Sequence, residues 1–577
     1  MASWATLGAA LLFLLADKYL TEVFLCFWRN ATENWLSVWE VRFFLIGAVL
    51  AIFCLPALYK TLKTEWAKIS LRNRRLLLLI TLLAVLLRLL LPTAGHRLYF
   101  DEDIYLNIGQ NIANTGQALL TNCGETRYGV YHHYEGIFNK QPNSLPFMAA
   151  LVFAVFGCKE NLIFLLMQIL GGLTVLPLFG LAMKLFSEEE GLWAAFLFAL
   201  IPVHIIWSAT ASTETAFVFF AALSLYLLML ALSAESLPLW LLFVCSIAFT
   251  VQFRTEGLLI LIPAGLMILF SKVRIKTWWA ILMGLALAFL LFPILLHLNF
   301  VKDMDWGAPG GQKFSLDYFT VNWRNNLPFF WENRYFPAFC SVFMLLGIAG
   351  CLFRRKLWTA VWLLIWAGLF FAPYLFFYAG DYKGGVSVRY ALPHLAPDMI
   401  LAGSGVVLLL KWLRERIKSF DPAIPLASAL LLLFLFHVPL IKAVTQESWV
   451  ARADHKYITE FCRNLPDNCF ILTHSPSLVL VEGKGALQTW ILKDNLRFQQ
   501  MFAGRKSQVF LYEDYWSDVY PQSQDVKIIK DNFELKLEKA NRENGRTFNI
   551  YRLSSPVPKL KPANLPGGET ENSGEEN

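Results

Sequence analysis

Charge is scarce in this sequence: only 16% of its 577 residues are Asp, Glu, Lys or Arg, against 56% hydrophobic and 15% aromatic. That make-up excludes an ordinary soluble globular chain. The nine cysteines include no CxxC pair, so no cysteine metal site of the usual spacing is present. Cys26, Cys54, Cys158, Cys245, Cys340 and Cys351 lie in or beside apolar runs and read as small core hydrophobes. Cys462 and Cys469 bracket a short polar stretch and are a disulfide candidate if that stretch meets an oxidising compartment. There is no Gly-rich phosphate loop, and nothing requires a nucleotide. The apolar run from Ala2 to Leu15 lacks the basic flank of a signal peptide, so an uncleaved span interrupted by Asp17 and Lys18 is expected. The absence of a convincing internal repeat counts against the repeat-based design common in transporters.

Long apolar runs are abundant. A spanning helix needs roughly 20 mostly apolar residues because lipid offers no partner to unpaired backbone groups. Windows of this kind fall near 41–59, 76–94, 161–183, 191–208, 214–234, 237–253, 257–270, 278–299, 338–352, 358–378, 393–410 and 423–441, with 2–28 as a doubtful first. The expectation is a mainly α, polytopic bundle of about 12–13 spans. The net charge of +7 is modest, and its cations sit in short loops: Lys60 to Arg75, Lys272 to Lys276, Arg354 to Lys356 and Lys411 to Lys418. This speaks of topology rather than nucleic acid, and alternating spans put all four loops on one face, the cytoplasm by the positive-inside rule. The run 143–157 is too short to span and is expected to be re-entrant or interfacial. The loops 95–160, 301–337 and 379–392 and the chain after 442 then share the extracytoplasmic face. From about 446 the composition changes. A helix over Asp454–Cys462, strands over Phe470–Thr473 and Gln508–Tyr512, and a hairpin over 534–553 turning at Glu543-Asn544-Gly545 predict a small α/β domain to 555, with a disordered end over 556–577.

The residues able to do chemistry gather at the outer ends of spans. Asp101-Glu102-Asp103 opens a segment with Tyr105, Ile108 and Ile112 at helical spacing and a stop at Gly116, which predicts an amphipathic interfacial helix. Its ordinary reading makes Asp101 an N-cap and the other two acids partners of the helix dipole. Glu214 follows Ser212-Thr213 at a span junction, and Arg254 and Glu256 punctuate two further runs; a membrane-boundary ion pair is the ordinary alternative. Lys140-Gln141-Pro142 closes the first outer loop and Arg389-Tyr390 precedes Pro393. His132, His133 and Glu135 are candidate metal ligands, although adjacent histidines point apart on most backbones, and no metal set is assigned. A divalent metal stays open as a cofactor. Acids and cations converging on one face suit group transfer from a phosphate-bearing lipid, the cations neutralising a leaving phosphate and an acid taking a proton from the nucleophile.

In order and spacing these elements resemble the multi-spanning GT-C glycosyltransferases that use polyprenyl-phosphate sugars, in the branch of protein O-mannosyltransferases and lipid A aminoarabinose transferases. The resemblance runs over about residues 76–410. It rests on Asp101-Glu102 with Tyr105 and Gly116, on Lys140-Gln141-Pro142 before Phe156-Gly157, on Ser212-Thr213-Glu214, on Arg254-Thr255-Glu256-Gly257, and on Arg389-Tyr390-Ala391-Leu392-Pro393. It implies a catalytic core over 76–445 after extra N-terminal spans in 1–75, with Asp101 as acid/base, Glu102 beside it and Glu214 where the family commonly has aspartate. It also implies Arg389, Lys140 and Arg254 as donor-phosphate ligands, Gln141 standing in place of a proline, and Tyr105, His133, Glu256 and Tyr390 as further site candidates. The activity implied is inverting transfer of a sugar from the lipid phosphate to a hydroxyl of a lipid-linked, glycan or protein acceptor, outside the cell membrane. A transporter or lipid flippase, or a scaffold whose tail binds a partner, are the competing readings.

Overall fold

The computed structural model describes residues 32–98, 100–271, 273–302, 308–383, 385–417, 421–489, 508–519 and 524–553. The expected first span over 2–28 and the chain end over 556–577 lie outside them. The chain divides into two compact units, one formed by the residues up to Thr121 with Gly136–Arg452, the other by Asn122–Glu135 with the chain from Ala453 onward.

The first unit is a helical membrane bundle. All twelve apolar windows from 41–59 to 423–441 hold helix. Seven helices among the described residues are long and apolar enough to cross a membrane, or eight if the bent pair Glu188–Ala199 and Pro202–Ser208 makes one span. That is fewer than twelve or thirteen, for two reasons. Leu71–Leu90 has the length but carries Arg72, Arg74, Arg75 and Arg88, and Leu237–Val251, Thr255–Leu269 and Ala338–Phe353 are shorter than a bilayer requires. The bent pair turns by 62°, which strands carbonyls at the end of its first half. Arg88, fully buried, donates there at 3.3 Å each to Ala199 O and to Phe198 O, which also accepts from Ile201 N. Its other donors reach Ala84 O at 2.9 Å and His204 Nδ1 at 3.0 Å. Because arginine only donates, Nδ1 of His204 is the acceptor.

The helix Asp101–Thr115 departs from expectation. Rather than lying half-exposed at an interface, it is buried on almost every side from Glu102 to Ile112. Ser144–Phe156, a helix of 13 residues, covers it. A side chain at Gly109 would stand 2.8 Å from Ala149 Cβ, so glycine permits this approach. Phe100, not Asp101, occupies the cap position, which leaves the Asp101 carboxylate for other work.

The second unit is α/β. Its sheet runs β2-β1-β4-β3-β5-β9-β6, with β1 Leu120–Arg127, β2 Val130–Ile137, β3 Phe470–Thr473, β4 Gly485–Gln488, β5 Val509–Tyr512, β6 Leu535–Lys539 and β9 Ile550–Leu553. The inner strands β4, β3 and β5 are parallel, and β3 and β5 are buried along their whole length, as parallel strands covered on both faces must be. Between β6 and β9 the short strands β7 (Arg542–Glu543) and β8 (Arg546–Thr547) pair antiparallel about Asn544 and Gly545. Both turn residues have positive φ, 48° and 81°, as the hairpin turn read from the sequence requires. The helix Ala453–Cys462 is also as expected. Cys462 and Cys469 are separate buried thiols. The β1–β2 pair comes from the first outer loop, and β1 joins β4 antiparallel through Cys123 and Leu487.

Candidate functional site

Within the helical unit, four chain junctions deliver charged groups to one place. Asp101 begins the helix that follows Leu71–Leu90, Glu214 lies in the first turn of Thr213–Ala234, and Arg254 follows the end of Leu237–Val251. Arg389 and Tyr390 lie in the 3-10 turn Ser387–His394 that leads into Leu395–Arg416.

Arg389 is the hinge of the cluster. Its Nε donates to Glu214 Oε1 at 2.8 Å, and Nη2 donates to Asp101 Oδ2 and to the Tyr390 hydroxyl, each at 3.2 Å. Its Nη1 donates to Val386 O at 3.1 Å. Arg254 forms ion pairs with both Glu214 and Glu256 and donates through Nη2 to the Tyr374 hydroxyl at 2.9 Å. The Tyr374 hydroxyl donates in turn to Glu256. The Tyr374 and Tyr390 rings stack at 4.6 Å and 14°, and both guanidinium groups lie over Tyr390, at 5.5 Å for Arg254 and 4.6 Å for Arg389.

Three carboxylates, Asp101, Glu214 and Glu256, thus face two guanidinium groups. Glu214 is 2% exposed and held by both arginines, whereas Asp101 is 37% exposed and touches one. The excess negative charge therefore falls on Asp101. Desolvation by the surrounding walls pushes its pKa up from the ordinary aspartate value, Arg389 and Arg254 pull it down, and Glu214 and Glu102 push it further up; the net shift is upward. A proton acceptor open to a reactant and backed by a fixed cation is what this produces. Tyr105, one turn further along, is buried within the field of Asp101, Glu214, Arg389 and Arg254, and its hydroxyl is held well above the usual tyrosine range, by desolvation first.

Glu102 has different company. One oxygen accepts from the backbone amides of Arg97 and Leu98, the latter at 2.5 Å, and the other from Ala211 N at 2.8 Å. Its carboxylate ties the 97–98 turn to the Thr210-Ala211 turn ahead of Glu214. Glu102→Gln would point an amide N–H₂ at backbone donors, so a loss of about 1–3 kcal/mol in stability is expected; an unfolding midpoint identical to wild type would refute the tie.

A second buried group braces the same helix. His96 lies 3.1 Å from Asp103 through Nδ1 and 3.0 Å from Glu160 through Nε2, and Arg452 Nη2 donates to Asp103 at 3.0 Å. Burial pushes the His96 pKa down, but Glu160 and Asp103 outweigh it and hold it up at about 10. The imidazolium persists through neutral pH.

Of the candidates named from sequence, the contacts join Asp101, Glu214, Arg254, Glu256, Arg389 and Tyr390. Lys140 is half-buried in the segment between β2 and Ser144–Phe156. His133 belongs to β2 of the other unit, with His132 exposed beside it. Tyr374 was not anticipated; its only signal was a hydroxyl at the outer end of an apolar run.

The family model described as dolichyl-phosphate-mannose-protein mannosyltransferase matches residues 140–297. The match starts at Lys140 and includes Glu214, Arg254 and Glu256, and it bears out the resemblance drawn above. No curated protein matches the sequence. Among solved structures, the archaeal oligosaccharyltransferase AglB from Archaeoglobus fulgidus, in complex with an inhibitory peptide and a dolichol-phosphate, is similar at 13% identity over 83% of this chain and 74% of that one, with a TM-score of 0.49. The Archaeoglobus fulgidus oligosaccharyltransferase in complex with Zn and sulfate gives 14% identity, 82% and 72% coverage and 0.49. ArnT from Cupriavidus metallidurans bound to undecaprenyl phosphate gives 11% identity, 85% and 100% coverage and 0.47.

Proposed function

We propose that this integral membrane protein is a glycosyltransferase that moves a sugar from a polyprenyl-phosphate donor to an acceptor hydroxyl at the extracytoplasmic face. The observation that carries the reading is the sharing of the Arg389 guanidinium between a buried carboxylate, Glu214, and an accessible one, Asp101. The family match over residues 140–297 supports it.

In this reading the donor phosphodiester, an anion, competes with Asp101 for Nη2 of Arg389, while Glu214 keeps Nε and so keeps the guanidinium in place. Asp101 is then released as a base. It takes the proton of the acceptor hydroxyl, whose oxygen forms a bond to the anomeric carbon as the bond from that carbon to the phosphate oxygen breaks; the electron pair leaves with the polyprenyl phosphate. Attack opposite the leaving group inverts the carbon. Arg389 and Lys140 are the cations assigned to the departing phosphate, which neutralise charge as it develops. Arg254, committed to Glu214, Glu256 and Tyr374, positions the others rather than meeting the donor. Glu102 likewise positions, through the backbone it binds. The basic loops support the extracytoplasmic assignment: Arg72, Arg74 and Arg75 start the helix Leu71–Leu90 and Asp101 follows its other end, which in this reading puts the cluster across the bilayer from the positive face.

The test is purified protein in proteoliposomes supplied with a panel of prenyl-phosphate sugars, the products read by mass spectrometry. A covalently glycosylated acceptor with inverted anomeric configuration is expected; donor movement across the bilayer without transfer would replace this reading by a flippase. Arg389→Ala should raise the donor KM by about 10- to 100-fold, the size of a lost charge-assisted hydrogen bond, and leave the acceptor KM near wild type. Equal rises for both substrates would remove the phosphate role.

A further inference from the structure

At the end of the bundle opposite Asp101, a groove of about 510 Å³ opens between Leu71–Leu90, Glu188–Ala199, Leu395–Arg416 and Ala423–Leu435. That lies within the roughly 300–1,000 Å³ of ordinary small-ligand sites. Its walls are apolar, lined by Leu79, Leu83, Trp193 and Ile424, while Arg72, Glu189 and Arg414 lie at the helix ends that form its mouth. Leu79 and Ile424 are 61% and 68% exposed, so the groove presents accessible apolar surface.

The mouth is built from helix ends. Arg72 and Glu189 lie in first turns, Arg414 in a last turn, and Asp421 just ahead of Ala423. Arg414 donates to Glu189 at 2.8 Å and to Asp421 at 3.3 Å. Arg72 approaches Asp421 only to 3.8 Å, beyond hydrogen-bond reach, so among the described residues its donors remain available to an oxygen ligand. Two cations and two anions at one mouth are matched by a ligand that carries one charge of each sign. An anionic headgroup would satisfy the arginines and leave the acids opposed. A quaternary ammonium could neutralise the acids but has no N–H to donate.

We propose that this groove is a site for a zwitterionic phospholipid bearing a primary ammonium, of the phosphatidylethanolamine type, drawn from the leaflet on the basic-loop side. One acyl chain lies along Leu79, Leu83, Trp193 and Ile424; the phosphodiester bridges Arg72 and Arg414; the ammonium donates to Glu189 and Asp421. The site is independent of the transferase reading, since it stands at the other face of the bilayer from Asp101 and shares no residue with that cluster.

The test is native mass spectrometry of the full-length protein released from nanodiscs holding equal parts of phosphatidylethanolamine, phosphatidylglycerol and phosphatidylcholine with a minor fraction of polyprenyl phosphate. One retained phosphatidylethanolamine is expected, with retention falling about fivefold for each of Arg72→Gln and Arg414→Gln. Glu189→Gln should move the preference toward phosphatidylglycerol, a shift that general loss of structure would not give. Equal retention of the three phospholipids, a wild-type preference for phosphatidylglycerol, or occupation by polyprenyl phosphate would each overturn the proposal, and none of these readings requires a variant to fold.

Discussion

Asp101→Asn is expected to lower sugar transfer by about 10²–10⁴-fold, the usual worth of a positioned general base, while the protein remains folded and still binds donor. The reason lies in its surroundings. Asparagine keeps the shape and can accept from Arg389 Nη2, so the contact at 3.2 Å has a replacement, but it cannot take up the acceptor proton. Asp101 is also the most accessible acid of its cluster, at 37% against 2% for Glu214 and 19% for Glu256, so removing its charge relieves a site with more carboxylates than guanidinium groups. A rate loss with unchanged or raised thermal stability is therefore the signature. A variant with wild-type turnover would end the assignment of Asp101 as the base.

The pH profile should carry the same mark. Desolvation and the neighbouring acids Glu214 and Glu102 move the Asp101 pKa upward against the pull of Arg389 and Arg254. With Asp101 as the proposed base, the rate should fall as pH drops through an inflection that lies above that of an ordinary aspartate. For stability the sign is opposite to that of a salt-bridged carboxylate: between the unfolded and the raised folded pKa, the native state binds more protons than the unfolded chain, so this group's contribution weakens as pH rises through that window.

The membrane bundle was legible because lipid enforces it. Apolar length is a property of each run by itself, and all twelve internal windows hold helix. The helix Asp101–Thr115 was legible as a helix but not in its burial, because the partner that covers it, Ser144–Phe156, reaches it through Gly109, and glycine carries no periodic signal. The sheet was half legible for a similar reason. The hairpin turning at Asn544-Gly545 and the apolar strands β3 and β5 announce themselves locally, whereas β1 and β2 come from a loop more than 300 residues earlier, and no local pattern reveals the pairing of Cys123 with Leu487.

The site was legible as types of residue at span ends and not as pairings. Arg389 could be named as a cation near Pro393, but not as the group that holds Asp101 and Glu214 together. Glu102 could be named only as the acid beside Asp101, and the amides of Arg97, Leu98 and Ala211 are what set its role apart. Adjacent acids on a helix point about 100° apart, so Asp101 meets Arg389 while Glu102 turns to the backbone behind it.

Arg254→Met is expected to cost about 3–5 kcal/mol, the range seen when one partner of a buried ion pair is removed. Arg254 is 8% exposed and joins Glu214, Glu256 and Tyr374. Methionine fills similar space without charge, and it leaves Glu256 with the Tyr374 and Thr255 hydroxyls and Glu214 with Arg389 and the Thr213 hydroxyl. Most of the loss is the penalty for carboxylates left in a poorly solvated place, so adding Glu214→Gln should return part of it. Equilibrium unfolding in mixed micelles reads both. The double variant should be more stable than the sum of the single losses predicts, by about 0.5–3 kcal/mol for groups in direct contact. Strict additivity would mean that Arg254 acts through packing with the Tyr390 ring rather than through charge, and would withdraw it from the network that holds Arg389 in place.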